Sequence, residues 1–223
     1  MDTFRPADLC EVLRQAILQG DYKFGSRLKI DEIARRYGVS HMPVRKALLQ
    51  LEGEQLVTTS RNRGASVRAI DVEFVGNTYD IVIPLEALLT RRAAERMTPL
   101  GLERLTAKET ELEKAAARLD GVAVVAANNG FHAIISELSR NREAARIVDR
   151  SQELLRAIRR AYGFDPARLP GMIADHRSLL RAFADRDADG AAAIAASHAA
   201  KARSDLIATI RSASTAMAQP PGP

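Results

Sequence analysis

Leu9, Val12, Leu13, Ala16 and Ile17 recur at the i, i+3, i+4, i+7, i+8 spacing of one helix face, and Gly20 ends the run. A turn-rich stretch over 21–26 leads to a second face of Ile30, Ile33, Ala34 and Tyr37, with Arg35 and Arg36 opposite. Gly38 permits the positive φ that commonly closes a helix. Ser40 is placed to cap the next helix, and Pro43 is tolerable because it falls in that helix's first turn. Val44, Leu48 and Leu51 then make a third apolar stripe, with His41, Arg45 and Lys46 on the other face. After Gly53 the pattern changes. Residues 56–60 are β-prone, Arg61-Asn62-Arg63-Gly64 is a basic turn, and 65–68 can return as a partner strand. Three helices and a two-stranded wing make a winged helix-turn-helix. Cations at the exposed start of its third helix suit a major groove, while Arg63 and Gly64 can approach a minor groove or a phosphate.

Beyond Asp71 the pattern is helical throughout, in six segments near 72–97, 100–119, 122–139, 142–162, 167–185 and 188–213. Pro84 should kink the first, and Pro99, Gly121, Asn141, Asp165-Pro166 and the 185–190 stretch mark the ends. The predicted fold is therefore mainly α. A winged helix-turn-helix over 1–70 precedes an all-α six-helix bundle over 71–213, and 214–223 is expected to be a disordered tail.

Composition agrees with packed helices: 46% of residues are hydrophobic, only 4% are aromatic, and there is no Trp. No apolar run approaches membrane length and no signal-peptide pattern opens the chain, so a cytoplasmic protein without a membrane partner is expected. The lone Cys10 excludes an internal disulfide framework and reads as a packing residue. The net charge of +5 is unevenly spread. Residues 1–70 carry 12 Lys and Arg against 8 Asp and Glu, whereas the remainder carries 21 against 20. The excess lies where a polyanion would meet the third helix.

Three of the four histidines, His132, His176 and His198, lie in the predicted bundle. His176 and His198 are each 11 residues from position 187, inside a predicted turn. Two antiparallel helices folded there bring both side chains to one height. His132 sits mid-helix with Asn128 one turn earlier on the same face. Three converging imidazoles are a reasonable ligand set for Zn2+, Ni2+ or another borderline divalent ion. A hydrolytic metalloenzyme would need a general base beside them. None stands at useful spacing, since Glu137 is five residues beyond His132, so the chain is not read as an enzyme.

Gly25-Ser26-Arg27-Leu28, Glu32-Ile33-Ala34, Gly38-Val39-Ser40-His41-Met42-Pro43-Val44-Arg45-Lys46-Ala47-Leu48, Leu51-Glu52, Leu56-Val57 and Arg63-Gly64 together resemble the DNA-binding domain of GntR-family transcription regulators. The resemblance implies DNA contacts from Arg27, Ser40, Arg45, Arg63 and Gly64, with His41, Met42 and Lys46 on the same reading face. The family usually has Arg-Thr where this chain has His41-Met42. Neither residue can copy arginine's bidentate contact with guanine, so a departure in operator sequence is expected.

The bundle resembles the FCD effector domain of the FadR and VanR-like branches, on Asn128-x-x-Phe131-His132, Asn141, His176, Asp187, Ala191 and His198. The resemblance implies a divalent metal held by an Asp and three His, and a small organic-acid effector beside it. Asn128 stands where that Asp would be, so weak or water-mediated ligation is expected there. An Arg that often faces the effector also has no counterpart near Val82-Ile83, which leaves Arg91 or Arg92 as replacements. The implied function is a homodimeric repressor on a palindromic duplex operator, controlled by that effector. The alternative is a regulator for which the metal ion itself is the signal.

Overall fold

The computed structural model describes residues 6–60, 64–163 and 165–218. Two compact units form: Met1–Asp71 together with Glu153–Gly163, and Val72–Gln152 together with Phe164–Pro223.

The first unit contains α1 (Pro6–Gln19), β1 (Arg27–Leu28), α2 (Ile30–Tyr37), α3 (His41–Gly53), β2 (Val57–Ser60) and β3 (Gly64–Val67). Its core is the three predicted stripes brought together: Leu9, Leu13 and Ile17, then Ile33, then Val44, Leu48 and Leu51. Gly38 closes α2 with φ of 65°, and its turn lets Val39 N donate to the Ala34 carbonyl at 3.0 Å. The wing gains a strand that the sequence pattern does not predict. The sheet order is β1-β3-β2, all antiparallel, with Arg27 opposite Ser66 on one side of β3 and Thr58 opposite Ser66 on the other. Two residues are too few to show a period of two, which is why β1 escapes a pattern reading. Residues 153–163, the last part of α7, also belong here. Ala157 is buried in this core, and Arg160 donates from Nη2 to the Leu18 carbonyl at 2.6 Å.

The second unit is built from α4 (Val72–Glu95), α5 (Pro99–Ala117), α6 (Gly121–Ser139), the first half of α7 (Arg142–Tyr162), α8 (Leu169–Ala184) and α9 (Ala188–Ala218). The predicted punctuation has identifiable chemistry. Thr98 caps α5 by accepting from Gly101 N, with Pro99 in the first turn, where no N–H is required. Asp120, Asn141 and Asp187 accept in the same way from Ala123 N, Ala144 N and Gly190 N. α4 continues through Pro84 as one helix to Glu95. α9 runs to Ala218, beyond the expected end at 213, because Ser-Thr-Ala-Met-Ala contains no breaker before Pro220. Residues 219–223 lie outside the described residues.

Small side chains on facing helices let the backbones approach closely. Ala93 and Ala94 of α4 share a buried cluster with Ala191 and Ala195 of α9, and α4 and α9 pack along each other. Phe131, Leu105, Ile135, Leu179 and Phe183 fill the same cluster. Polar side chains on α5, α6, α8 and α9 are thereby carried into the interior.

Candidate DNA-reading face and three-histidine centre

The exposed side of α3 carries His41, Met42, Arg45 and Lys46, with Ser40 just before it. Ser40 holds the N-cap position in extended conformation, yet its hydroxyl makes no capping hydrogen bond, contrary to the sequence expectation. Of the two N–H groups a cap oxygen can reach, those of the second and third helical residues, Pro43 removes the third and leaves only that of Met42. Met42 is 61% exposed, and Leu49, two turns along the same face, is 68% exposed. Sequence reading missed Leu49 because an apolar residue on a helix is ordinarily assigned to the core. His41 Nε2 lies 3.1 Å from Asp31 Oδ1 at the start of α2. β1 places the Arg27 guanidinium beside Gly64, whose φ of 76° favours glycine; a Cβ there would stand in ordinary contact, 3.8 Å from Arg27 Nη2. Arg63 lies outside the described residues.

In the bundle, His132 of α6, His176 of α8 and His198 of α9 converge. Their ring centroids are 5.4, 5.5 and 5.1 Å apart, and one nitrogen from each lies within 4.8 Å of the others. The α8–α9 turn at 185–187 accounts for the His176–His198 pairing. Phe131 stacks on the His176 ring at 4.3 Å with an interplanar angle of 8°.

Two carboxylates orient this cluster from behind. His176 Nδ1 is 2.7 Å from Glu109 Oε2, and His198 Nδ1 is 3.2 Å from Asp175 Oδ2. Lys201 Nζ donates to the other Asp175 oxygen at 2.7 Å. The hydrogen bond from His198, supported by that from Lys201, lowers the Asp175 carboxyl to about 2. Burial pushes His198 below its ordinary value, towards the neutral imidazole that metals require. His176 Nε2 and Asn128 Oδ1 are buried without hydrogen-bond partners. Native interiors rarely leave such atoms unsatisfied, and a lone-pair nitrogen and an amide oxygen are both donors to a cation. The residues present therefore fit a divalent ion.

A cavity of about 20 Å³ adjoins the centre, bordered by Glu86, Leu89 and Thr90 of α4, His132 and Ser136 of α6, Val148 of α7 and His198 of α9. Gln152 Nε2 donates to Glu86 Oε1 at 2.6 Å. The structure does not bring Arg91 or Arg92 to this cavity. Arg91 pairs with Asp189, and Arg92 Nε donates to the Ser139 carbonyl at 3.1 Å. Glu137 is held by Arg104 through two bonds of 2.9 and 2.7 Å, away from the imidazoles. Glu109 was not singled out from the sequence. Its signal was there, a carboxylate between Leu105 and Leu112 on the buried stripe of α5.

A winged helix with a polar, cation-bearing third helix, joined to a separate helical unit, defines a two-unit DNA-binding regulator. The chain belongs to the GntR family of bacterial regulatory proteins and carries an FCD domain: residues 7–67 match the first family and 77–201, more than half the chain, the second. It is a transcription regulator and not an enzyme. It is similar to the uncharacterised HTH-type transcriptional regulator YdhC of Bacillus subtilis, 24% identical with 80% of each chain covered. The HTH-type transcriptional repressor RspR of Escherichia coli is 25% identical, over 80% of this chain and 78% of that one. Among solved structures, E. coli McbR/YncC superposes with a TM-score of 0.70 at 22% identity, over 92% of this chain and 98% of that one, which shows the shared fold. Among the described residues no helix is long and apolar enough to cross a membrane.

Proposed function

We propose that this chain is a cytoplasmic repressor that binds a palindromic operator as a homodimer and is controlled from a metal centre in the helical unit. The observation that carries the control half is the pair of buried, unpartnered donors, His176 Nε2 and Asn128 Oδ1, beside two further imidazoles. His132, His176 and His198 would hold Zn2+ or Ni2+, with Asn128 as a weak or water-mediated fourth position. Such an ion supplies a positive anchor for a small carboxylate effector. That role falls to the ion because Arg91 and Arg92 are engaged elsewhere. Repression accords with the name of RspR, and dimerisation with the exposed Ile81 and Leu88 two turns apart on α4.

Helix α7 is the route by which the centre would act. Val148 borders the cavity and Gln152 holds Glu86, while Ala157 and Arg160 of the same helix pack in the DNA-binding unit. Allostery requires that a ligand bind two poses of this helix unequally. Gln152→Ala is expected to keep operator affinity in the absence of ligand while the response to metal or acid falls. An unchanged response, measured by titrating labelled operator, would remove α7 from the route.

Elemental analysis of purified protein tests the centre. About one divalent ion per chain is expected, lost in His132→Ala, whose ring is only half-buried so that its removal should spare the fold. No ion in the parent after incubation with Zn2+ or Ni2+ overturns the reading.

The second reading, that the ion itself is the signal, is favoured by the size of the cavity, which has room for about one water. Operator affinity that tracks free Zn2+ with no organic acid present selects this reading; affinity indifferent to Zn2+ alone removes it.

On the reading face, Met42 offers an apolar contact suited to a thymine methyl. Met42→Arg is expected to shift the selected base towards guanine, with discrimination of about 1–3 kcal/mol at one position of each half-site. Duplexes selected from a random pool by parent and variant report this directly. Identical selected sequences would show that Met42 does not read bases.

A further inference from the structure

We infer that Glu109 is the acid of the three-histidine centre, a positioning carboxylate that supplies from behind His176 the negative charge that Asn128 does not provide. The inference rests on the metal centre proposed above and goes beyond its ligand set. Glu109 is 3% exposed on α5, and its Oε2 is 2.7 Å from His176 Nδ1. His176 is its single hydrogen-bond or ion-pair partner among the described residues, and the neighbouring Arg177 is paired with Glu113 instead. The carboxylate stands on the buried stripe between Leu105 and Leu112, and its other oxygen, Oε1, is buried without a hydrogen-bond partner.

The geometry has two consequences. A carboxylate at Nδ1 fixes the proton of the neutral ring there, which leaves the Nε2 lone pair bare, and Nε2 is the buried atom with no partner. A divalent ion held by three neutral imidazoles and an amide would also carry its whole charge into an apolar interior, which is costly without a nearby anion. Asp175 answers that need less well, because Lys201 already neutralises it at 2.7 Å. The charge is thus displaced outward by one imidazole rather than lost from the site.

Competition titrations of Zn2+ against a chromophoric chelator, on the full chain, test this with Glu109→Gln, Asn128→Asp and the double variant. Glutamine keeps an oxygen that can accept from Nδ1 and removes only the charge. E109Q is expected to bind Zn2+ about 10–100-fold more weakly than the parent. Adding Asn128→Asp is expected to recover most of that loss, because a carboxylate then enters the ligand set itself. A purely architectural Glu109 would not be rescued from α6. If E109Q binds within about twofold of the parent, or if its loss persists in the double variant, Glu109 is not the acid of the site. A parent that binds no Zn2+ overturns the metal centre and this inference together, whereas a binding parent with an indifferent E109Q overturns this inference alone. The zinc-loaded parent gives a check that needs no variant. Nitrogen-15 NMR of the imidazoles should show zinc on Nε2 of His176 and a slowly exchanging proton on Nδ1; zinc on Nδ1 overturns the assignment.

Discussion

Phe131→Ala lowers the stability of the helical unit by about 3–5 kcal/mol, the range for removing a fully buried aromatic ring. Phe131 is 0% exposed and lies among Leu105, Ile135, Leu179 and Phe183, so few neighbours can collapse into the space it leaves. Its ring also backs the His176 imidazole at 4.3 Å. The loss therefore has a second readout, since His176 gains freedom and Zn2+ affinity falls with stability. Phe131→Leu, which retains most of the volume, should lose less stability and retain more metal. Urea titration of the helical circular dichroism signal, set beside zinc titration, measures both. A shift below about 1 kcal/mol for the alanine variant would mean that the cluster repacks and that the ring is not its keystone.

His176→Ala is expected to cost the metal-free protein a similar amount, about 3–5 kcal/mol, for a different reason. The ring itself is small, but its removal strands the Glu109 carboxylate in an interior where His176 is its one partner among the described residues. An unpaired buried charge is worse than no charge at all. Removing both polar groups, as His176→Leu with Glu109→Leu, should therefore recover much of the loss, though not the metal. The comparison is made in the presence of a chelator, so that ion binding does not enter. A double variant less stable than His176→Ala would show that lost packing, and not the stranded carboxylate, dominates the cost.

Much of the candidate site was legible because it depends on short-range regularities. The spacing of His176 and His198 about a turn, and of Asn128 and His132 along one helix, fixes which rings can meet once the helices exist, and the rings meet. The face of α3 followed from the positions of Val44, Leu48 and Leu51, which must be buried and so turn Arg45 and Lys46 outward. The misreadings share a cause too. Ser40 was assigned a capping bond by its residue type; it holds the N-cap position but makes no such bond, and Pro43 three residues later removes one of the two donors it could have used. Arg91 and Arg92 were assigned to a cavity by their charge, and partners distant in sequence, Asp189 and the Ser139 carbonyl, take them.

The sequence by itself determined the main helices, the two hairpin strands of the wing and the spacing of the three imidazoles, since each is written in local periodicity, turn chemistry or residue spacing. Tertiary structure alone decided three other things. It added β1 to the wing and so set Arg27 beside Gly64, a pairing between segments 37 residues apart. It set Glu109 of α5 behind His176 of α8, 67 residues away in sequence. It also divided α7 between the helical unit and the DNA-binding unit, so that one helix serves both. Such long-range contacts depend on how apolar faces of different helices interlock, and a period read along one segment does not state which segment it will face.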